Sequence, residues 1–182
     1  MADGAFWIAA LTAGTAVLAS WVTSRGTARA ARIQADTTAG AQRVERLRQA
    51  RRTAYAEFIE QAQRLSDVHW KVSDVVRGAG GGGTEDGLGP ERVEELRRLR
   101  ERQREEYATL RNLTWVVSLE GPEEVAELAN KVRRTTNPFH KAIEAMIEGD
   151  TGAVARFDSC YAPFWDALKE FIRASRDILH TM

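Results

Sequence analysis

Residues Gly4 to Ser24 form a run of 21 without a charged side chain, and Arg25 ends it. As a helix the run is roughly 30 Å long, the thickness of a bilayer's hydrocarbon core. Trp7 and Trp21 lie near its two ends, where amphipathic rings settle among headgroups. The apolar content is modest: Phe6, Ile8, Leu11, Val17, Leu18 and Val22 favour insertion by about 3 kcal/mol, opposed by Thr12, Thr15, Ser20 and Thr23. On a helical wheel the small residues fall on one side, with Thr12, Ala16 and Ser20 at its centre. Such a stripe lets a second helix approach closely, so a homo-oligomer or a membrane-protein partner is expected there. A cleaved signal peptide would open with Lys or Arg, whereas Asp3 is the only charge ahead of the run. The sequence thus predicts a transmembrane anchor over residues 1–24, with the lipid bilayer as its first partner.

Orientation follows from charge. Arg25, Arg29 and Arg32 flank the run on its C-terminal side, which places the rest of the chain in the cytoplasm and the N-terminus outside. The formal net charge of zero hides an asymmetry. Residues 25–52 carry eight Arg against Asp36 and Glu45, while residues 53–182 carry 18 basic and 23 acidic groups. A basic collar therefore precedes a mildly acidic body. Residues 25–40 read as a juxtamembrane stalk, helical but weakened at Thr37-Thr38-Ala39-Gly40 by Gly and β-branched residues.

From residue 41 onward the periodicity is helical throughout. Val44, Leu47, Ala54, Phe58, Leu65, Val68, Val72 and Val75 recur at steps near three and four, with Arg51 and Gln61 filling gaps. Residues 78–90 are Gly-rich and read as a flexible linker, with no Gly-Lys-Ser/Thr to make a phosphate loop. Pro90 opens a second helix on Leu96, Leu99, Gln103, Tyr107, Leu110 and Val117. Between Glu91 and Glu106 it alternates six Arg with six Glu, a salt-bridged solvated face rather than a nucleic-acid patch. Gly121-Pro122 and Gly149-Asp150 punctuate the remainder into a third and a fourth helix. The predicted fold is all-α: a transmembrane helix, then an up-down four-helix bundle of long helices over residues 41–182. Phe58, Tyr107, Phe139, Phe157 and Phe164 are its expected core aromatics, and Trp70, Trp115 and Trp165 are expected to pack in the core or at its edge. Pro138 and Pro163 fall inside helical patterns at nearly one level of the bundle, so paired kinks or a helix restart at Asn137 are expected.

No constellation defines a chemistry. None of the three histidines sits in a Glu-x-x-His or His-x-x-x-His pattern, so no metal or other cofactor is expected. Cys160, the single cysteine, excludes an intramolecular disulfide and reads as a small buried residue.

At Leu47-Arg-Gln-Ala-Arg-Arg-Thr-Ala-Tyr-Ala-Glu-Phe-Ile59 the chain resembles small single-pass membrane proteins of actinobacteria. In these a short spanning helix runs into an Arg-rich helix bearing Arg-x-x-Ala-Tyr-x-x-Phe, here Arg51, Ala54, Tyr55 and Phe58. The bias of 22 Arg to 4 Lys agrees with a high-GC genome. The resemblance covers residues 1–75 and implies topology but no activity.

Three function classes stay open. The favoured one is a membrane-tethered cytoplasmic interaction or signalling module, with no catalysis and no nucleic acid. The second is a small-molecule-binding bundle or enzyme, its pocket near Pro138 and Pro163 and lined by Phe139, His140, Tyr161, Phe164 and Trp165. The third is a membrane-active effector.

Overall fold

A computed structural model describes the backbone of residues 3–78 and 88–181 and the side chains of residues 34–78 and 88–180. Among them every regular element is a helix: α1 Asp3–Arg77, α2 Pro90–Glu120, α3 Glu123–Thr135, α4 Asn137–Ile147, α5 Ala153–Ser159 and α6 Tyr161–Thr181. The chain divides into two units, Met1–Arg46 and Leu47–Met182.

In the first unit α1 passes through Thr37-Thr38-Ala39-Gly40 without interruption, so the stalk is helical as expected. Thr38 Oγ1 donates to the Gln34 carbonyl at 2.7 Å, a local bond that keeps a β-branched residue compatible with the helix. Side chains from residue 34 to residue 46 are all exposed. The backbone of the uncharged run is helical, but Trp7, Thr12, Ala16, Ser20, Trp21, Arg25, Arg29 and Arg32 have side chains outside the described residues. Among the described residues no helix is long and apolar enough to cross a membrane.

The second unit is a helical bundle of four rods, α1, α2, α3 with α4, and α5 with α6, in which successive rods run in opposite directions. Along α1 and α2, Arg51 Nε donates to the Glu120 carbonyl (2.6 Å), Gln61 Nε2 to the Glu106 carbonyl (2.9 Å) and, at the far end, Arg92 Nη2 to the Gly78 carbonyl (2.8 Å). Arg133 of α3 donates to the Tyr107 hydroxyl of α2, and Lys131 pairs with Glu170 of α6. Tyr55 meets Phe171 and Ser73 meets Tyr161, which closes α6 back onto α1.

The resembling signature turns out to be packing. Ala54, Tyr55 and Phe58 are buried, and Arg51 caps α2 by donating to one of its unpaired terminal carbonyls, that of Glu120. A Cβ on Gly121, just past that end, would lie 2.7 Å from the Tyr55 hydroxyl, so only glycine fits there. Val44 and Leu47 continue the periodicity but not the core; Leu47 is 49% exposed.

Both inner prolines sit in first turns. α3 gives way to α4 at Thr136, whose N–H bonds to the Arg133 carbonyl three residues back; α5 gives way to α6 at Cys160, which does the same to Phe157. Pro138 and Pro163 follow two and three residues later, where a missing N–H leaves no bond unmade. A fresh helix therefore does begin here, but Thr136 takes the N-cap position with no side-chain capping bond and Asn137 is the first helical residue rather than the cap; each of the last two rods is two helices. Gly149, at φ 88°, ends α4 in the left-handed region, and the Asp150 N–H returns to the Ala145 carbonyl.

Candidate functional site

The core carries one polar level. His69, on the flank of the α1 stripe, is wholly buried and stacks on Phe139 with ring centroids 3.8 Å apart. Phe157 and Phe164 close round the same imidazole edge-on, at 6.0 and 6.2 Å. An imidazolium in such surroundings has lost its hydration, and burial pushes the His69 pKa down to about 3. His69 is therefore neutral at physiological pH.

Its polar contact is Gln103, which is 3% exposed and occupies an apolar-stripe position of α2. The Gln103 amide nitrogen lies 3.1 Å from His69 Nε2, and its oxygen lies 3.2 Å from Nδ1 of His140 on α4. With the amide so turned, His69 Nε2 accepts and its proton resides on Nδ1, which finds no partner among the described residues. His140 then donates from Nδ1, while its Nε2 faces Glu144 Oε1 at 3.3 Å. Glu144 in turn lies 3.9 Å from Arg100 and 4.0 Å from Arg104. A continuous polar chain thus leads from the middle of the bundle to its surface. Turning the Gln103 amide over would exchange donor and acceptor, and so would shift the proton of His69 to Nε2.

Beside this chain, where α3 breaks into α4, lies a cavity of about 380 Å³. Leu65 and Thr136 form its buried wall, and Gln103, Tyr107 and His140 line it further out. Arg104 and Lys141 stand at its exposed rim with Asn137. No Asp or Glu lines it. The volume lies within the range of about 300–1,000 Å³ usual for small-molecule sites. A wider groove between α1 and α2 is different: Arg64 and Lys71 are countered there by Asp67 and Glu95, so it selects no sign of charge. Glu106, on that groove, is opposed by burial yet held below the usual carboxylate range by hydrogen bonds from Gln61 and Arg102.

Of the five residues expected to line a pocket, His140 alone lines this cavity. Phe139 and Phe164 are fully buried and fill the core, while Tyr161 and Trp165 are half-buried on the aromatic side, away from Gln103. The kinks do bring one level of the bundle together, but aromatic rings occupy it. Trp70 packs at the bundle edge against Tyr161, ring centroids 5.4 Å apart, whereas Trp115 departs from expectation at 67% exposed. Cys160 is buried as expected, its thiol directed at the Arg156 carbonyl. Burial pushes that thiol up, which makes it a poor nucleophile at neutral pH. Among the described residues no cluster of His, Cys, Asp or Glu is placed to hold a metal ion.

No protein-family model, curated protein or solved structure matches this chain.

Proposed function

We propose that this protein is a membrane-tethered helical interaction or signalling module, its bundle on the cytoplasmic side of a single-pass anchor. The observation that carries the reading is the extent of α1. One helix, Asp3–Arg77, includes both the uncharged run of residues 4–24 and the core stripe from Ala54 to Val72. A change in how the anchor packs, at Thr12, Ala16 and Ser20, is thereby linked by covalent helix to the bundle. Arg25, Arg29 and Arg32 supply the orienting charge, each favouring an anionic leaflet by about 1 kcal/mol close to its surface.

The test is topological. In intact cells, a fluorescent protein fused after Met182 is expected to fluoresce, and an alkaline phosphatase fused there to be inactive. The full chain should stay with membranes through alkaline carbonate washing. An active phosphatase, or release of the chain by carbonate, would overturn the reading.

A further inference from the structure

We propose that the cavity at the α3–α4 break is a binding site for a small organic acid, one carboxylate on a compact apolar body. The inference stands on the second unit alone and is independent of any membrane anchor. Three features specify the ligand. The first is sign: Arg104 and Lys141 line the cavity, and among the described residues no carboxylate does. Glu101 and Glu144 lie close by and share Arg104, at 3.2 and 4.0 Å, so Arg104 is partly matched and Lys141 is the cation that sets the sign. Lys141 makes no ion pair or hydrogen bond among the described residues, so its ammonium is unmatched.

The second feature is a layered wall. Leu65, wholly buried, lies on the inner side with Thr136, while the cations stand at the exposed rim. A ligand with an apolar body inward and an anionic end outward meets both demands, whereas an inorganic anion would leave Leu65 uncovered. The third is pre-organisation. Arg133 Nη1 holds the Tyr107 hydroxyl at 3.1 Å, and Gln103 fixes the His140 ring from within. Tyr107 and His140 are thus braced before a ligand arrives, which lowers the entropy lost on binding. A carboxylate accepting from Lys141 and Arg104 forms charge-assisted hydrogen bonds, stronger than those to a neutral amide.

The test uses the full chain, ¹⁵N-labelled in a zwitterionic detergent, titrated with benzoate, its neutral counterpart benzamide and the cation benzylamine. Benzoate is expected to move the amide resonances of Thr136, Asn137, His140 and Lys141 in a saturable way. Benzamide should bind about tenfold more weakly, and benzylamine more weakly still. Lys141→Ala and Arg104→Ala should each weaken benzoate severalfold, with Lys141→Arg restoring most of the affinity. Lys169→Ala, which removes an exposed cation on α6, should leave it unchanged. Equal binding of benzoate and benzamide would overturn the proposal. So would the absence of saturable shifts at those four residues, or a Lys141→Ala protein, still well dispersed in its spectrum, that binds benzoate as before.

Discussion

Two levels of the same core differ in kind. Around Phe58 the packing is apolar, with Phe171 tilted against it at 4.6 Å and Tyr55 edge-on to Phe171 at 5.9 Å. Roughly 16 Å further along α1 the core residue is His69, bonded to a buried glutamine that lines a cavity. The first level removes large rings from water and leaves the Tyr55 hydroxyl without a partner among the described residues. The second holds a neutral imidazole with one nitrogen unpartnered, which costs about 1–3 kcal/mol. Both levels thus hold an unpartnered polar atom, but only the second sets it beside a buried amide–imidazole contact, a cavity and broken helices. Proteins depart from full local consistency mainly at functional sites, and the polar level is where this one does so.

The largest expected effect lies at the apolar level. Phe58 is wholly buried and touches the ring of Phe171, so Phe58→Ala should destabilise the bundle by about 3–5 kcal/mol. Urea unfolding would measure this, and the histidine resonances of the folded variant should remain where they are in the parent. A loss below about 1 kcal/mol would mean that the level collapses around the vacancy and that stability is spread more evenly than the packing indicates.

The polar level should appear instead in the response to acid. The His69 pKa falls from its ordinary 6.5 to about 3 in the folded protein. Its contribution to stability is therefore complete above pH 6.5 and is lost as pH falls through 6.5 toward 3, because the unfolded chain takes up a proton that the folded one refuses. Between pH 7 and pH 5 the loss attributable to this residue is about 2 kcal/mol. His69→Gln keeps an acceptor for Gln103 but has nothing to titrate, and should flatten that part of the pH profile whatever it does to stability at pH 7. An unchanged slope would place the acid sensitivity elsewhere, among the exposed histidine and carboxylates.

The apolar level was legible in the sequence and the polar one was not, for a physical reason. Phe58, Phe139, Phe157 and Phe164 repeat at helical spacing, and hydrophobic periodicity finds such residues directly. Tyr107 repeats with them but is only half-buried, since it ends at the cavity and presents its hydroxyl to Arg133. Gln61 and Gln103 stand in the stripes as polar interruptions, and an interruption is the available signal; its meaning depends on partners 45, 34 and 37 residues away, on other helices. Periodicity also says nothing about where a partner helix stops. Leu47 continues the stripe of α1 past Arg51, which already caps the end of α2, and so it faces water. The prolines were legible as breaks. What filled the space between those breaks was not, because the choice between a pocket and four packed rings depends on volumes that a pattern does not carry.

The smallest expected effect completes the comparison by asking whether polar contacts matter equally wherever they occur. Lys131 and Glu170 join α3 to α6 at 2.5 Å with both side chains about half exposed, at 52% and 47%. Water already solvates the two charges, ordering two long side chains opposes their attraction, and salt screens what remains. A double-mutant cycle with Lys131→Ala and Glu170→Ala should therefore return a coupling of about 0.2–1 kcal/mol, shrinking in concentrated salt. The same cycle on His69→Phe and Gln103→Leu removes a contact that water cannot replace, and its coupling should be insensitive to salt. If the exposed pair coupled as strongly as the buried one, burial would not be what sets the polar level apart, and the division between the two levels of the core would fail.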